Sequence, residues 1–217
     1  MPVGITQLFY NWEVFDGCTA LEKVTFYTTQ EKVDAWRAPF TNCPNLKTIE
    51  LLWVVECEYD ENDNLIGYKE VAPAYFKRFN ASVLAGTGYT RFYANGPSFN
   101  VSGASFAGSK VETVVIAPIG WCGLEGNWDT GEGAFQGADA LKEVWFSLSE
   151  DGFYFAENTF VGVDHDINVY FTNYTLEDMM GMIGESGWYE YASEKVHFYF
   201  ADTMPTDVEW PAELKSE

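Results

Sequence analysis

Exposed-type aromatics beside polar residues are the side chains here whose types and spacing suit recognition. Trp145, Tyr170 and either His197 or Tyr199 recur at matching places in the chain, accompanied by Glu143 and Asn168. Trp121 and Trp128 lie in a Gly-rich stretch, Pro118 to Gly133. Trp and Tyr with polar neighbours are typical of binding hot spots, and their ring faces also suit stacking on sugars. Catalytic settings are weaker. The only two histidines are His165, inside Asp164-His165-Asp166, and His197. Neither belongs to a nucleophile motif such as G-x-S-x-G, and both read as surface histidines. Asp60-Glu-Asn62-Asp-Asn64 begins like a calcium loop, but Leu65 stands where the sharp turn needs Gly, and Val71 where the bidentate Glu belongs. A polar hairpin turn is the better reading. The Gly-rich stretch lacks the G-K-[ST] ending of a phosphate loop. It reads as a loop that either tucks its tryptophans onto the fold or displays them. The residues call for no metal, cofactor or catalytic group.

Those aromatics are positioned by an internal repeat. Phe15 to Phe26 reads F-D-G-C-T-A-L-E-K-V-T-F, and Phe40 to Leu51 reads F-T-N-C-P-N-L-K-T-I-E-L. Phe135 to Phe146 and Phe160 to Phe171 repeat the pattern. Counted from the first Phe, a small or apolar residue stands at +3, usually Leu at +6, an aliphatic at +9 and Phe or Leu at +11. Each copy should end in a short strand with +9 and +11 in the core and +8 and +10 on the outer face. The +10 column then reads Thr25, Glu50, Val115, Trp145, Tyr170 and either His197 or Tyr199. The +8 column reads Lys23, Thr48, Thr113, Glu143 and Asn168. An aromatic row on neighbouring strands would make a flat platform, unless the hairpin insertion covers that face.

The chain is expected to be one domain, residues 1–217. Residues 1–14, rich in apolar side chains, read as an N-terminal cap on the open first coil. Residues 52–98 hold an insertion and a degenerate copy. The insertion is a hairpin with arms Val54–Tyr59 and Leu65–Val71. The degenerate copy is expected to start near Phe76 and to end in a strand at Tyr89–Tyr93. The copy at Phe106 is one residue short. Residues 172–203 read as a C-terminal cap made of a short helix, opened by the capping box Thr175-Leu-Glu-Asp178, and a strand at Lys195–Phe200. Residues 204–217 read as an irregular tail.

Composition narrows the partners. Thirty-three acidic against 12 basic residues give a net charge of −21, which repels nucleic acid and anionic membrane surfaces. No apolar run is long enough to span a bilayer, and Met1-Pro2-Val3-Gly4 does not open a secretory signal. Cys18 and Cys43 fill the +3 slot that Ser109, Ala138 and Val163 fill elsewhere, so they read as small packing residues. They should be neighbours on adjacent coils, which leaves a disulfide between them open.

A-P-F-T-N-C-P-N-L-K-T-I-E-L from Ala38 and G-A-F-Q-G-A-D-A-L-K-E-V-W-F from Gly133 resemble the repeat of the BspA-like, or Treponema-type, leucine-rich repeat family. The likeness spans roughly Val14 to Phe200, with a poor fit between Leu52 and Ser98. It implies a right-handed, mainly β solenoid of about six to seven coils with one parallel sheet face. It also implies a surface-exposed or secreted bacterial protein that mediates adhesion or binds proteins, including host extracellular proteins, with no catalytic residue. The expectation is a non-catalytic binding module that uses Trp145, Tyr170, Tyr199, His197, Glu143 and Asn168. The alternatives are a carbohydrate-binding module that adds Trp121 and Trp128, and a structural spacer in a larger surface protein.

Overall fold

The computed structural model describes residues 14–201 except 36–37, 81, 95, 118–119, 148–152, 173, 176 and 179–186. The expected N-terminal cap (apart from Val14) and the tail lie outside the described residues. So does the expected C-terminal helix beyond Glu177 and Asp178. At its start, Thr175 and Asp178 exchange the bonds of a capping box: Thr175 N donates to Asp178 Oδ2 at 2.9 Å and Asp178 N to Thr175 Oγ1 at 3.2 Å.

Phe15, Phe40, Leu84, Phe106, Phe135 and Phe160 open six successive turns of a β-solenoid. In the first five, the N–H of the +3 residue donates back to the carbonyl of the opening residue at 3.2–3.3 Å. The residue between them, at +2, has φ near +56° to +74° in all six: Gly17, Asn42, Gly86, Gly108, Gly137 and Gly162. Only Gly, and Asn at lower cost, takes that left-handed conformation readily. This slot punctuates the repeat as strictly as the Phe does.

Each turn then lays down a strand on a first face. These are β1 (Lys23–Thr28), β3 (Thr48–Tyr59), β6 (Arg91–Ala94), β8 (Thr113–Ile116), β10 (Glu143–Phe146) and β12 (Ile167–Thr172), closed by β13 (Val196–Ala201). A second strand follows on an opposite face: β2 (Lys32–Ala35), β5 (Tyr75–Asn80), β7 (Ser98–Ser102), β9 (Trp121–Glu125) and β11 (Phe153–Phe155). The second face is one parallel sheet, ordered β11-β9-β7-β5-β2. One parallel sheet face was expected, and two are found. The signal for the second was hidden in strands of three to six residues, one of which, β9, lies inside the stretch read as a loop.

The two faces enclose a column of aromatics. Phe106, Phe135 and Phe160 stack with centroids 5.9 and 5.6 Å apart, and Phe146, Phe171 and Phe200 with 5.1 and 5.4 Å. No coil can bury its own Phe, so each is desolvated by the next, worth roughly 2–3 kcal/mol per ring. The +3 slot is small and buried at Cys43, Ser109, Ala138 and Val163, while Cys18 on the first turn is exposed. Cys18 and Cys43 are both free thiols, and Cys43 Sγ donates to Phe15 O at 2.9 Å.

The hairpin falls where the sequence places it. The arm β4 (Leu65–Pro73) runs antiparallel to the outer part of β3, and Asp60 Oδ1 accepts from the N–H groups of Asn62 and Asn64 in its turn. Its consequence is a break in the first face. Beside β3 lies β4, so the first face divides into β1-β3-β4 and β13-β12-β10-β8-β6. A cavity of about 320 Å³ opens at the division, lined by Ile49, Leu84, Tyr89 and Phe92 among others. The degenerate turn begins at Leu84, not near Phe76. Phe76 instead belongs to β5. The misplacement has a simple cause: Leu84 replaces the opening Phe, and Tyr89 replaces the Leu that follows. The Tyr89 hydroxyl accepts the Ile49 N–H across the break. Burial pushes its phenol up to about 12.

Candidate functional site

Parallel pairing places the expected outer-face residues in register. Tyr93, Val115, Trp145, Tyr170 and Tyr199 are Cα partners along one row, so Tyr199 continues it rather than His197. Arg91, Thr113, Glu143, Asn168 and His197 form the row two residues earlier. Both rows point outward because Val144 and Val169 between them, and Phe146 and Phe171 after the aromatic row, point into the core.

The aromatic row is a stack, not a platform. Trp145 and Tyr170 lie at 3.9 Å with 12° between ring planes, and Tyr170 and Tyr199 at 5.1 Å with 21°. Strands about 4.8 Å apart set bulky rings on edge so that faces meet along the solenoid axis. Trp145 and Tyr170 are therefore half-buried in each other. At the other end, Val115 and Ala117 are fully buried between Tyr93 and Trp145. Only ring edges and the terminal Tyr199, 46% exposed, meet solvent freely. Polar neighbours steady the stack: Trp145 Nε1 donates to Glu143 Oε2 at 3.3 Å. Burial, then the Glu143 charge, raises the Tyr170 phenol. His197 Nε2 lies 3.0 Å from Asp166 Oδ1.

The second pair of tryptophans sits on the other face. Trp121 opens the strand β9, and only Trp128 belongs to the loop beyond it. Along the second sheet, Arg78, Asn100, Gly123 and Tyr154 are Cα partners across four strands. Tyr154 therefore faces a glycine, not a ring. The Trp121 indole spans that glycine and donates from Nε1 to Asn100 Oδ1 at 3.0 Å. Trp121 and Tyr154 are 46% and 41% exposed. With Lys77, Arg78, Asn100 and Glu125 they line an open trough of about 420 Å³. Trp128 is tied to its end, its Nε1 donating to Glu125 Oε2 at 3.3 Å. Reading by Phe spacing missed Tyr154, Asn100 and Arg78. The alternation in S-F-N-V-S at 98–102 and W-C-G-L-E at 121–125 was the available signal.

Catalytic and metal settings gain nothing from the geometry. Among the described residues no group of three or more His, Cys, Asp or Glu side chains is gathered as for a metal ion. Burial pushes the Cys122 thiol far up, which makes it inert. His165 is a structural staple between turns. Its Nδ1 lies 3.0 Å from Asp164 Oδ1 and its Nε2 2.7 Å from Leu141 O. Burial opposes its charge, but the Asp164 bond and the Leu141 carbonyl outweigh it and raise its affinity for a proton. No helix among the described residues is long and apolar enough to cross a membrane. No protein-family model matches the chain, and neither the curated proteins nor the solved structures yield a match.

Proposed function

We propose that this protein is a non-catalytic binding module, displayed on a cell surface or secreted, that takes a protein partner on the outer side of its first sheet. The observation that carries this reading is the pairing of two rows there. Aromatic edges ending in an exposed Tyr199 run beside Glu143, Asn168 and His197. Aromatics held rigid by their neighbours lose little entropy on binding, and polar residues beside them set register and specificity. The resemblance of the Phe-led repeat to BspA-like leucine-rich repeats supports the same class of role, adhesion or protein binding. The net charge of −21 favours basic partner surfaces over nucleic acid.

The test uses immobilised protein and a panel of purified extracellular matrix glycoproteins, each also supplied enzymatically deglycosylated. A Tyr199→Ala/His197→Ala double variant removes the exposed end and leaves the Trp145–Tyr170 stack intact. Capture of a deglycosylated partner that falls tenfold or more, about 1.4 kcal/mol, in a variant that melts normally supports the reading. Capture unchanged by the double variant moves the partner elsewhere, and no capture by the parent protein favours a spacer role.

A further inference from the structure

The trough on the second sheet differs in kind from the first face, and we propose that it is a binding site for a neutral oligosaccharide. Three features converge on that ligand class. First, the described cross-strand partner of Trp121 is Ser98 and that of Tyr154 is Gly123, so neither ring is paired with another ring. Apolar ring faces offered to solvent match the C–H face of a pyranose. Second, the polar lining mixes donors and acceptors at short range: Lys77, Arg78, Asn100 and Glu125. A sugar hydroxyl is both donor and acceptor and needs both kinds of partner. A lining of one sign would instead have suited an ion. Third, the row Arg78–Asn100–Gly123–Tyr154 crosses three strand intervals, about 14 Å at about 4.8 Å each. That length suits a chain of sugars better than a single ring.

The charge distribution decides between neutral and acidic saccharides. Two adjacent cations, Lys77 and Arg78, face one lining carboxylate, Glu125, so the trough has no strong local excess. A polyanion would approach against the field of a −21 protein. A neutral chain pays nothing for that field. A bulge in β5, between its pairings to Val33 and Asp34, falls at Lys77 and sets Lys77 and Arg78 together on the trough. The trough is also pre-organised, since Asn100 already fixes the Trp121 ring. The site is independent of the first face, so its success or failure leaves the protein-binding reading standing.

The experiment is calorimetric titration of the whole protein with neutral hexasaccharides of α- and β-linked glucose and mannose, and with hexagalacturonate. At least one neutral chain is expected to bind, with affinity changing less than twofold between 50 and 500 mM NaCl. Trp121→Ala and Tyr154→Ala should each weaken it at least tenfold. Tyr154→Phe, which keeps the ring, should stay within threefold, and Tyr199→Ala should have no effect. Melting curves of each variant separate lost binding from lost fold. Binding of hexagalacturonate alone, binding that Trp121→Ala leaves intact, or no binding by any neutral chain overturns the proposal.

Discussion

The two faces of the solenoid use the same residue types to opposite ends. On the first sheet Trp145, Tyr170 and Tyr199 occupy consecutive partners in one row, so their faces are spent on one another. On the second, Gly123 interrupts the row between Asn100 and Tyr154, and the faces of Trp121 and Tyr154 stay available. The number of exposed aromatics therefore says little about recognition. Whether a ring has a ring as its cross-strand partner says more. Stacked rings spend their faces on the fold and offer edges, whereas spaced rings leave their faces uncovered by other rings.

The sharpest ways to break that contrast are substitutions ranked by expected cost. Phe135→Ala empties the middle of the Phe106–Phe160 stack and should destabilise by about 3–5 kcal/mol in denaturant melts. A variant that melts like the parent would mean the turns do not desolvate one another. Trp145→Ala removes a half-buried ring and its stack on Tyr170, for about 2–3 kcal/mol. Trp121→Ala, an exposed ring held by one hydrogen bond, should cost under about 1 kcal/mol. Equal losses for these two tryptophans would erase the distinction between the faces.

Smaller effects sharpen it. Tyr89→Phe keeps the ring and orphans the Ile49 N–H at the break in the first face, which should cost about 1 kcal/mol. Hydrogen exchange at Ile49 should speed up in that variant. Gly123→Ala would set a methyl 2.4 Å from Asn100 Oδ1, where the Trp121 bond now lies. It should loosen the trough with little effect on the first-face stack, measurable as a shift in tryptophan emission.

The smallest effect is the pH dependence carried by His165. Its folded pKa is raised, so its contribution is complete below the unfolded value of about 6.5 and is lost as pH rises through the folded one. Asp164 is lowered by the same bond, so its contribution is present above about 3.9 and is lost as pH falls through its folded value. The pair is strongest between those limits. The melting gap between the parent and His165→Gln should be wider at pH 6 than at pH 8, and a gap of equal size would remove the staple.

What could be read beforehand follows from where the repeat is dense. The Phe and Leu slots, the strands on the first face and the hairpin at 54–71 are legible because each slot recurs with one chemistry. Leu84 and Tyr89 escape notice because both substitutions fall in one copy, and their role as the opening residue and the one that follows emerges only from the shared turn bonds. The second sheet escapes for a different reason. Its strands carry glycine and short alternations, and the spacing between first- and second-face strands varies from turn to turn, so no single period reveals it. Tyr154 and Asn100 inherit that obscurity. The rows on the first face were legible as lists of residues, but stacking of the rings depends on how each χ angle settles, which spacing does not specify.

The hairpin's intrusion has a last consequence, for how the molecule comes apart. The first sheet is severed between β3 and β6, whereas the second runs unbroken from β2 through β5 to β11. The initial two turns are thus coupled to the other four through one sheet, the turn contacts and the Tyr89 bridge, while the third, fourth and fifth turns share both sheets. Under mild denaturant the severed side should act as a perforation. The leading turns would open and reclose as a sub-global unit while the remainder stays intact. Solenoids lengthen by adding turns, and an insertion of this kind also shows how one can acquire a weak joint without losing its continuity.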